Sequence, residues 1–161
     1  MDDDFAALHR DHRRRLIGAL CALGTGVDEA TDAVDEAFAR AFQRWSRVGA
    51  RPAPAAWVFV TARNVLRRQH RRRSLERRLL RAHHVERVAP PPAGETWLVV
   101  AGLPPRQREV VVLRHVAGLT EPAIGAALGI SRGTVSSTLR DAHRSLAAQL
   151  GDDLPTTPGG R

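Results

Sequence analysis

Residues 123–135 read AIGAALGISRGTV: a short apolar helix, a glycine and the beginning of a second helix. Thr120 precedes this stretch and is suited to cap the first helix. Gly129 can adopt the left-handed conformation that ends a helix, and Ser131 is a strong cap for the next one. This order of signals predicts a helix-turn-helix, in which the second helix lies in the DNA major groove.

The flanking residues extend this unit from Leu103 to Leu150. Pro105 is suited to open a preceding helix, which we expect to stop at Gly118. One side of the last helix repeats at helical spacing and is predicted to face inward: Val135, Leu139, Ala142 and Leu146. Short or basic residues on its other side are available to DNA. The alternative is a helical bundle with a Gly-containing corner and no DNA partner.

The charge of the chain favours a polyanionic partner. Its 161 residues carry a net charge of +8, and all 25 basic residues are Arg. DNA, RNA and an anionic membrane surface all fit this excess. The sequence has no apolar run long enough to span a membrane and no signal-peptide core, and the lone Cys21 excludes an intramolecular disulfide. We therefore expect a cytoplasmic protein without membrane insertion.

Helical periodicity also fills the first half of the chain. One helix is predicted over residues 5–23, a second from Asp28 to about Trp45, and a third from near Ala55, with residues 46–54 as a loop. The second helix is crowded with acids, which indicates either a docking face for a basic partner or a solvated surface. Its predicted inward stripe consists of Val34, Phe38, Ala41 and Phe42.

The third helix combines aromatic and basic residues. Residues 63–81 contain nine Arg against the single acid Glu76, and Trp57 and Phe59 come just before them. Basic side chains beside aromatic rings are typical of proteins that bind unstacked single strands. The alternative is that both rings belong to the core and the Arg run is a generic basic segment.

Taken together, the patterns predict an all-α fold of two small helical domains. The domains cover residues 1–87 and 96–150, joined by a Pro-rich linker at 88–95, and residues 151–161 are predicted to be disordered. The sequence contains no P-loop, GxGxxG or HExxH motif and no metal-ligand spacing. We therefore expect no enzymatic activity, no cofactor, no metal and no small-molecule substrate.

In this order the elements resemble the extracytoplasmic-function sigma factors, the minimal two-domain bacterial sigma factors. Residues 32–38, DAVDEAF, are similar to the DLVQETF segment of that family, and residues 57–64, WVFVTARN, to its WLYRIARN segment. In the C-terminal domain, its final region is matched by Leu103-Pro104 with Arg108, Leu113-Arg114, residues 118–120, residues 128–131 and residues 133–135. The resemblance covers residues 5–150.

The resemblance implies a transcription initiation factor that binds RNA polymerase core and directs it to promoters. Recognition of the −10 and −35 elements and strand opening are the implied steps, and whether an anti-sigma factor is a further partner is left open. The implied core-docking residues are Asp32, Asp35, Glu36 and Phe38. The implied contacts with the −10 element and melted strand are Trp57, Arg63, Asn64, Arg67, Arg68 and Arg71. The implied −35 contacts are Ser131, Arg132, Gly133, Thr134, Ser136, Ser137 and Arg140.

The last helix departs from the family pattern. Where the family tends to read TVKSRLxRAR, residues 134–143 read TVSSTLRDAH, so several basic positions have become Ser, Thr, Asp or His. Each lost phosphate contact weakens DNA binding and flattens its salt dependence. We therefore predict weak or unusual −35 recognition.

Two other functions remain open at this stage. A stand-alone helix-turn-helix regulator would carry a phospho-acceptor or ligand-binding domain, and residues 1–87 show neither a strand pattern nor a pocket. An Arg-rich RNA-binding or scaffold protein would retain RNA affinity after deletion of residues 96–161.

Overall fold

The computed structural model describes residues 2–80 and 99–152, and within these ranges the ordered elements are helical. The predicted all-α fold is confirmed. The helices are α1 (Asp2–Ala22), α2 (Val27–Gln43), α3 (Trp45–Val48), α4 (Pro54–Leu80), α5 (Pro105–His115), α6 (Glu121–Leu128) and α7 (Arg132–Asp152). Residues 99–101 are also helical.

The helices form two groups that share one continuous apolar core. In the first group, α2 packs against both α1 and α4, burying Leu16, Val34 and Phe59. In the second, α5 and α6 pack against α7 and bury Ile124 and Val135. The groups touch each other through α4 against α6 and through α1 against α5.

The predicted signals of the helix-turn-helix are confirmed. The hydroxyl of Thr120 accepts a hydrogen bond from the amide of Ala123 at 3.4 Å, and the hydroxyl of Ser131 accepts one from the amide of Thr134 at 3.0 Å. Between the two caps, Gly129 has a φ of 68°, in the left-handed region. These local interactions place the start of α7 at an open corner of the domain.

The structure corrects several predicted boundaries. The second helix ends at Gln43, and Trp45–Val48 forms a separate turn that extends into the predicted loop at 46–54. Trp45 and Val48 bury their side chains, and this tertiary packing favours a helical turn over an irregular loop. Helix α7 extends through Asp152, beyond the predicted end at 150, whereas the linker at 88–95 and residues 153–161 lie outside the described residues.

The predicted burial of Phe42 is wrong. The helical spacing places this residue in the inward stripe of α2, but in the structure it is 57% exposed. Four residues along a helix add about 40° beyond one full turn, so Phe42 lies at the margin of the face that Phe38 occupies. Its ring contacts Phe5 of α1, with ring centroids 5.0 Å apart, and leaves the rest of its surface open.

Candidate nucleic-acid interface

The predicted −35 residues lie on the outer face of α7 and the turn before it. Ser131, Arg132, Gly133, Thr134, Ser137 and Arg140 are exposed, and Ser136 is half-buried. Val135, Leu139 and Ala142 are buried on the opposite side, and Leu146 packs against the core, as the spacing predicted. Arg132 forms a loose ion pair with Glu121 at 3.6 Å, and its side chain is 75% exposed, so the pair does little to restrain it.

Several hydroxyls of this face are engaged with the helix itself. Ser137 and Thr138 donate to the carbonyl of Thr134, at 3.0 and 2.7 Å. Ser131 is the helix cap and also contacts the hydroxyl of Thr134 at 2.9 Å. A hydroxyl proton that is given to the backbone is not available to a base acceptor.

Most of the predicted strand-binding residues of α4 line clefts between α4 and the second group of helices. Trp57 is half-buried and lines a groove of about 410 Å³ with Thr120 and Pro122. Asn64 and Arg67 line a second cleft of about 380 Å³ that reaches the end of α6. Arg68 and Arg71 are exposed further along the helix.

Phe59 does not belong to this surface. Its side chain, which belongs to α4 itself, is fully buried, and the guanidinium of Arg63 lies 5.7 Å from its ring centroid. The alternative that both rings belong to the core therefore holds for Phe59, whereas Trp57 sits at the boundary between the two helical groups.

An ion pair joins the two groups at the centre of this surface. Arg63 lies 2.7 Å from Oε1 of Glu109 on α5, and the two side chains are only 28% and 15% exposed. The other oxygen of Glu109 accepts a hydrogen bond from Arg106 at 2.9 Å. Sequence reasoning missed Glu109, because a contact between residues so far apart along the chain leaves no local signal.

A second set of contacts between the groups involves α1. His12 lies against the backbone of Ala117, beyond α5, and burial lowers the pKa of His12. Arg15 lies against Gly118, which has a φ of +70°; a Cβ there would come within 2.8 Å of the Arg15 guanidinium. The helix-turn-helix group is thus held on two sides by the N-terminal helices.

The predicted core-docking acids lie on the outer face of α2. Asp32, Asp35 and Glu36 are all exposed. Both carboxylate oxygens of Asp35 accept hydrogen bonds from Arg13 of α1, each at 2.7 Å. These hydrogen bonds lower the pKa of Asp35, which keeps the group ionised. Glu36 forms an ion pair with Arg40 one turn later on the same helix.

The structure corrects the prediction that Phe38 is a surface contact for polymerase core. It is 3% exposed and its ring packs against Phe5 and His9 of α1, so it cannot present its ring to a partner in this structure. The exposed aromatic at the end of the acidic face is Phe42, which sequence reasoning assigned to the core.

Within residues 2–80 and 99–152, no three or more His, Cys, Asp or Glu side chains converge as metal ligands. No helix in the same ranges is long and apolar enough to cross a membrane.

Comparison with known proteins explains the arrangement. Residues 8–76 match the family described as Sigma-70 region 2, and residues 99–148 match Sigma-70, region 4. The chain is also 35% identical over 133 residues to the RNA polymerase sigma-E factor of Streptomyces antibioticus, an alignment that covers 80% of this chain and 72% of that one. The chain belongs to the extracytoplasmic-function sigma factors. As a sigma factor it acts in transcription initiation, which sets aside the stand-alone regulator and the RNA-binding scaffold.

Other relatives agree with this membership. The sigma-E factor of Streptomyces coelicolor is 34% identical and covers 74% of this chain and 68% of its own length. Among solved structures, the sigma factor RpoE of Bartonella quintana, in complex with the anti-sigma factor NepR, superposes with a TM-score of 0.61 at 25% identity, covering 93% of each chain. CnrH in complex with the cytosolic domain of CnrY gives a TM-score of 0.60 at 27% identity and covers 92% and 88%.

Proposed function

We propose that this sigma factor divides its work among three helices. The acidic face of α2 docks on RNA polymerase core through Asp32, Asp35 and Glu36, with Phe42 replacing Phe38 as the aromatic contact. The face of α4 holds the −10 element and the melted strand, and α7 meets the −35 element. The observation that carries the proposal is that Trp57 and Asn64, together with Arg63 and Arg67, line neighbouring clefts along α4.

The chemistry of the α4 face suits an unpaired strand. Guanidinium groups bind phosphate oxygens in a planar, two-pronged geometry, and an indole ring offers a stacking surface for a base. Trp57 lies near the start of α4, and Arg63, Arg67, Arg68 and Arg71 follow over its next four turns. A backbone that follows these residues would bring one base to the indole ring.

The −35 contact is proposed to be weak. Arg132 and Arg140 are the basic side chains among the proposed −35 residues, and the hydroxyls of Ser131 and Ser137 are engaged with the helix. A bidentate contact to a base contributes about 1–3 kcal/mol of discrimination, and a committed hydroxyl cannot replace it. Promoter choice therefore rests mainly on α4 and on the polymerase.

The partners of the proposed function are RNA polymerase core and promoter DNA, in the cytoplasm, where both are found. The protein positions DNA and breaks no bond, so no cofactor or catalytic group is proposed. An anti-sigma factor is proposed as a further partner, because the structural neighbours RpoE and CnrH were each solved in complex with another protein, NepR and the cytosolic domain of CnrY.

The proposal is tested by promoter-directed transcription with purified core. On a promoter mapped for this protein, scrambling the −10 element abolishes the run-off product, whereas scrambling the −35 element lowers it only several-fold. Trp57→Ala reduces open-complex formation, and a template with a pre-melted −10 region partly restores it, because the cost of unstacking is removed. Equal losses from the two scrambled elements would contradict the weak −35 contact, and a fully active Trp57→Ala would contradict the role of α4.

A further inference from the structure

The helix-turn-helix group covers part of the α4 surface assigned to the promoter strand, whereas Asn64, Arg67, Arg68 and Arg71 stay exposed. Arg63 is paired with Glu109 of α5, and Trp57 lies partly beneath α6. We propose that Glu109 is an internal competitor of promoter DNA, whose carboxylate occupies the place on Arg63 that a phosphate of the melted strand takes. This inference rests on the function proposed above for α4.

The competition follows from the chemistry of the guanidinium group. Its planar fork binds a carboxylate or a phosphate through the same N–H donors, so Arg63 cannot give both groups its full set of contacts at once. The pair is shielded, with Arg63 28% and Glu109 15% exposed, so salt screens it less than a fully exposed pair. DNA must therefore displace a specific carboxylate from Arg63.

Arg106 lowers the free-energy cost of this displacement. It binds the second carboxylate oxygen of Glu109 from one turn earlier on α5, at 2.9 Å. When Arg63 leaves, Glu109 keeps a cationic partner within its own helix, so no buried carboxylate is left alone. Loss of the only partner of a buried charge would be strongly unfavourable. The arrangement permits two states, with Glu109 bridging the groups in one and paired within α5 in the other.

The length of a promoter shows that the protein cannot bind both promoter elements while α6 is packed on α4. A compact chain of 161 residues is roughly 40 Å across. The −10 and −35 elements lie about 25 base pairs apart, which is roughly 85 Å of B-form DNA at 3.4 Å per pair. With α6 packed on α4, the two reading helices cannot reach both elements together. The helix-turn-helix group must separate from α4, and the Arg63–Glu109 pair must break, before both elements are bound.

The contacts on the other side of the group belong to the same closed state. His12 lies against the backbone at Ala117, and Arg15 lies against Gly118. These contacts involve α1, whereas the proposed docking acids of α2 stay exposed. Polymerase core can therefore meet the closed protein at α2 before α4 is uncovered.

The test compares full-length Glu109→Gln with the wild type by two measurements. Spin labels at Ala6→Cys and Ala147→Cys, both exposed positions, are introduced in a Cys21→Ser background and report the distance between the groups. A single-stranded −10 oligonucleotide, titrated at fixed salt, reports access to α4.

Asp141→Asn is the matched control, because it removes one acid from the same half of the chain but its partner Arg144 lies on the same helix. Glu109→Asp retains the charge on a shorter side chain and is expected to fall between wild type and Glu109→Gln.

We expect Glu109→Gln to raise the population of long distances and the affinity for the oligonucleotide by a common factor of about three to ten, the range expected for one partly shielded ion pair. Asp141→Asn should leave the distances unchanged. It should raise the affinity for the oligonucleotide only by the general electrostatic effect of removing one negative charge. Unchanged distances and affinity in Glu109→Gln would overturn the inference, and so would a shift in distance without a gain in affinity. If wild type, Glu109→Gln and Arg63→Gln all fail to bind the oligonucleotide, the proposed role of α4 is contradicted, whereas the distances still show whether Glu109 closes the protein.

Discussion

At the scale of single residues, the carboxylate of Asp35 can pair either with Arg13 or with a basic side chain of another protein. Arg13 of α1 binds both of its carboxylate oxygens, yet the side chain of Asp35 remains 46% exposed on the face proposed to dock on polymerase core. An ion pair this open to water contributes only a few tenths to about 1 kcal/mol of stability. The carboxylate can therefore exchange Arg13 for a basic side chain of another protein at little cost.

Substituting Arg13 and Asp35 one at a time separates the contribution of Asp35 to stability from its proposed role in docking on core. Arg13→Gln should lower the free energy of unfolding by less than about 1 kcal/mol in urea titration and leave core affinity unchanged or higher, because the carboxylate is released. Asp35→Asn should cause a similar loss of stability and also weaken binding to core. If Arg13→Gln weakens core binding as much as Asp35→Asn does, the intact pair rather than the carboxylate is the docking group.

His12 makes the contact between α1 and the helix-turn-helix group sensitive to pH. Burial lowers its pKa below the usual value of about 6.5, and Arg15 lowers it further, while the backbone at Ala117 and the carboxylate of Asp11 oppose this shift. Above pH 6.5 the imidazole is neutral in both the folded and the unfolded chain. Below it the unfolded chain takes up the proton first, so stability falls until the pH passes the lowered folded pKa.

We therefore predict that the free energy of unfolding decreases as the pH falls below about 6.5, and that His12→Gln removes part of this decrease. His115 gives a second contribution of the same sign, since burial and the neighbouring His143 and Arg114 lower its pKa as well. Denaturant titrations between pH 5 and 7.5, roughly the window in which His titrates, measure the slope. An identical slope in His12→Gln and wild type would show that His12 does not contribute.

At the scale of the elements, the turn of the helix-turn-helix depends on two glycines for different reasons. Gly129 has a left-handed φ of +68° with open space around its Cβ position, so Gly129→Ala costs only the conformational strain, about 1–2 kcal/mol. At Gly125 a Cβ would lie 2.8 Å from the carbonyl oxygen of Ile130, a contact that the backbone of the turn must move to relieve. Gly125→Ala should cost about as much as overpacking a core, about 1–3 kcal/mol.

Urea unfolding of the full chain compares the two variants. We expect both to be destabilised, with Gly125→Ala losing the duplex affinity of α7 as well, since the turn that orients this helix is displaced. A neutral Gly125→Ala would show that the turn relaxes around the added Cβ without a loss of stability.

The elements that the sequence predicted well are those fixed by neighbours along the chain. Thr120, Gly129 and Ser131 act through hydrogen bonds and dihedral angles within three or four residues, so their pattern is sufficient to place the helix-turn-helix. Phe38 and Phe42 show the limit, because period alone cannot tell which of two residues a turn apart lies at the margin of a buried stripe. The pairing of Arg63 with Glu109 depends on how two groups of helices meet, and no local pattern contains that information.

At the scale of the whole molecule, the three proposed surfaces differ in availability. The acids of α2 and the start of α7 are exposed, whereas the α4 face is partly covered by α6 and Glu109. This order favours docking on core first and strand binding afterwards. A net charge of +8 draws the protein to DNA in general, so a covered α4 face also limits unproductive contacts with single strands.

The most direct test of the account is binding to purified RNA polymerase core in competition with a housekeeping sigma factor. Wild type is compared with Asp35→Lys/Glu36→Lys on α2, and with Asp3→Lys/Asp4→Lys on α1 as a control of equal charge change. We expect wild type and control to displace the competitor at moderate salt and the α2 variant to lose this ability. Failure of the wild type to bind core, or equal binding by the α2 variant, would contradict the account.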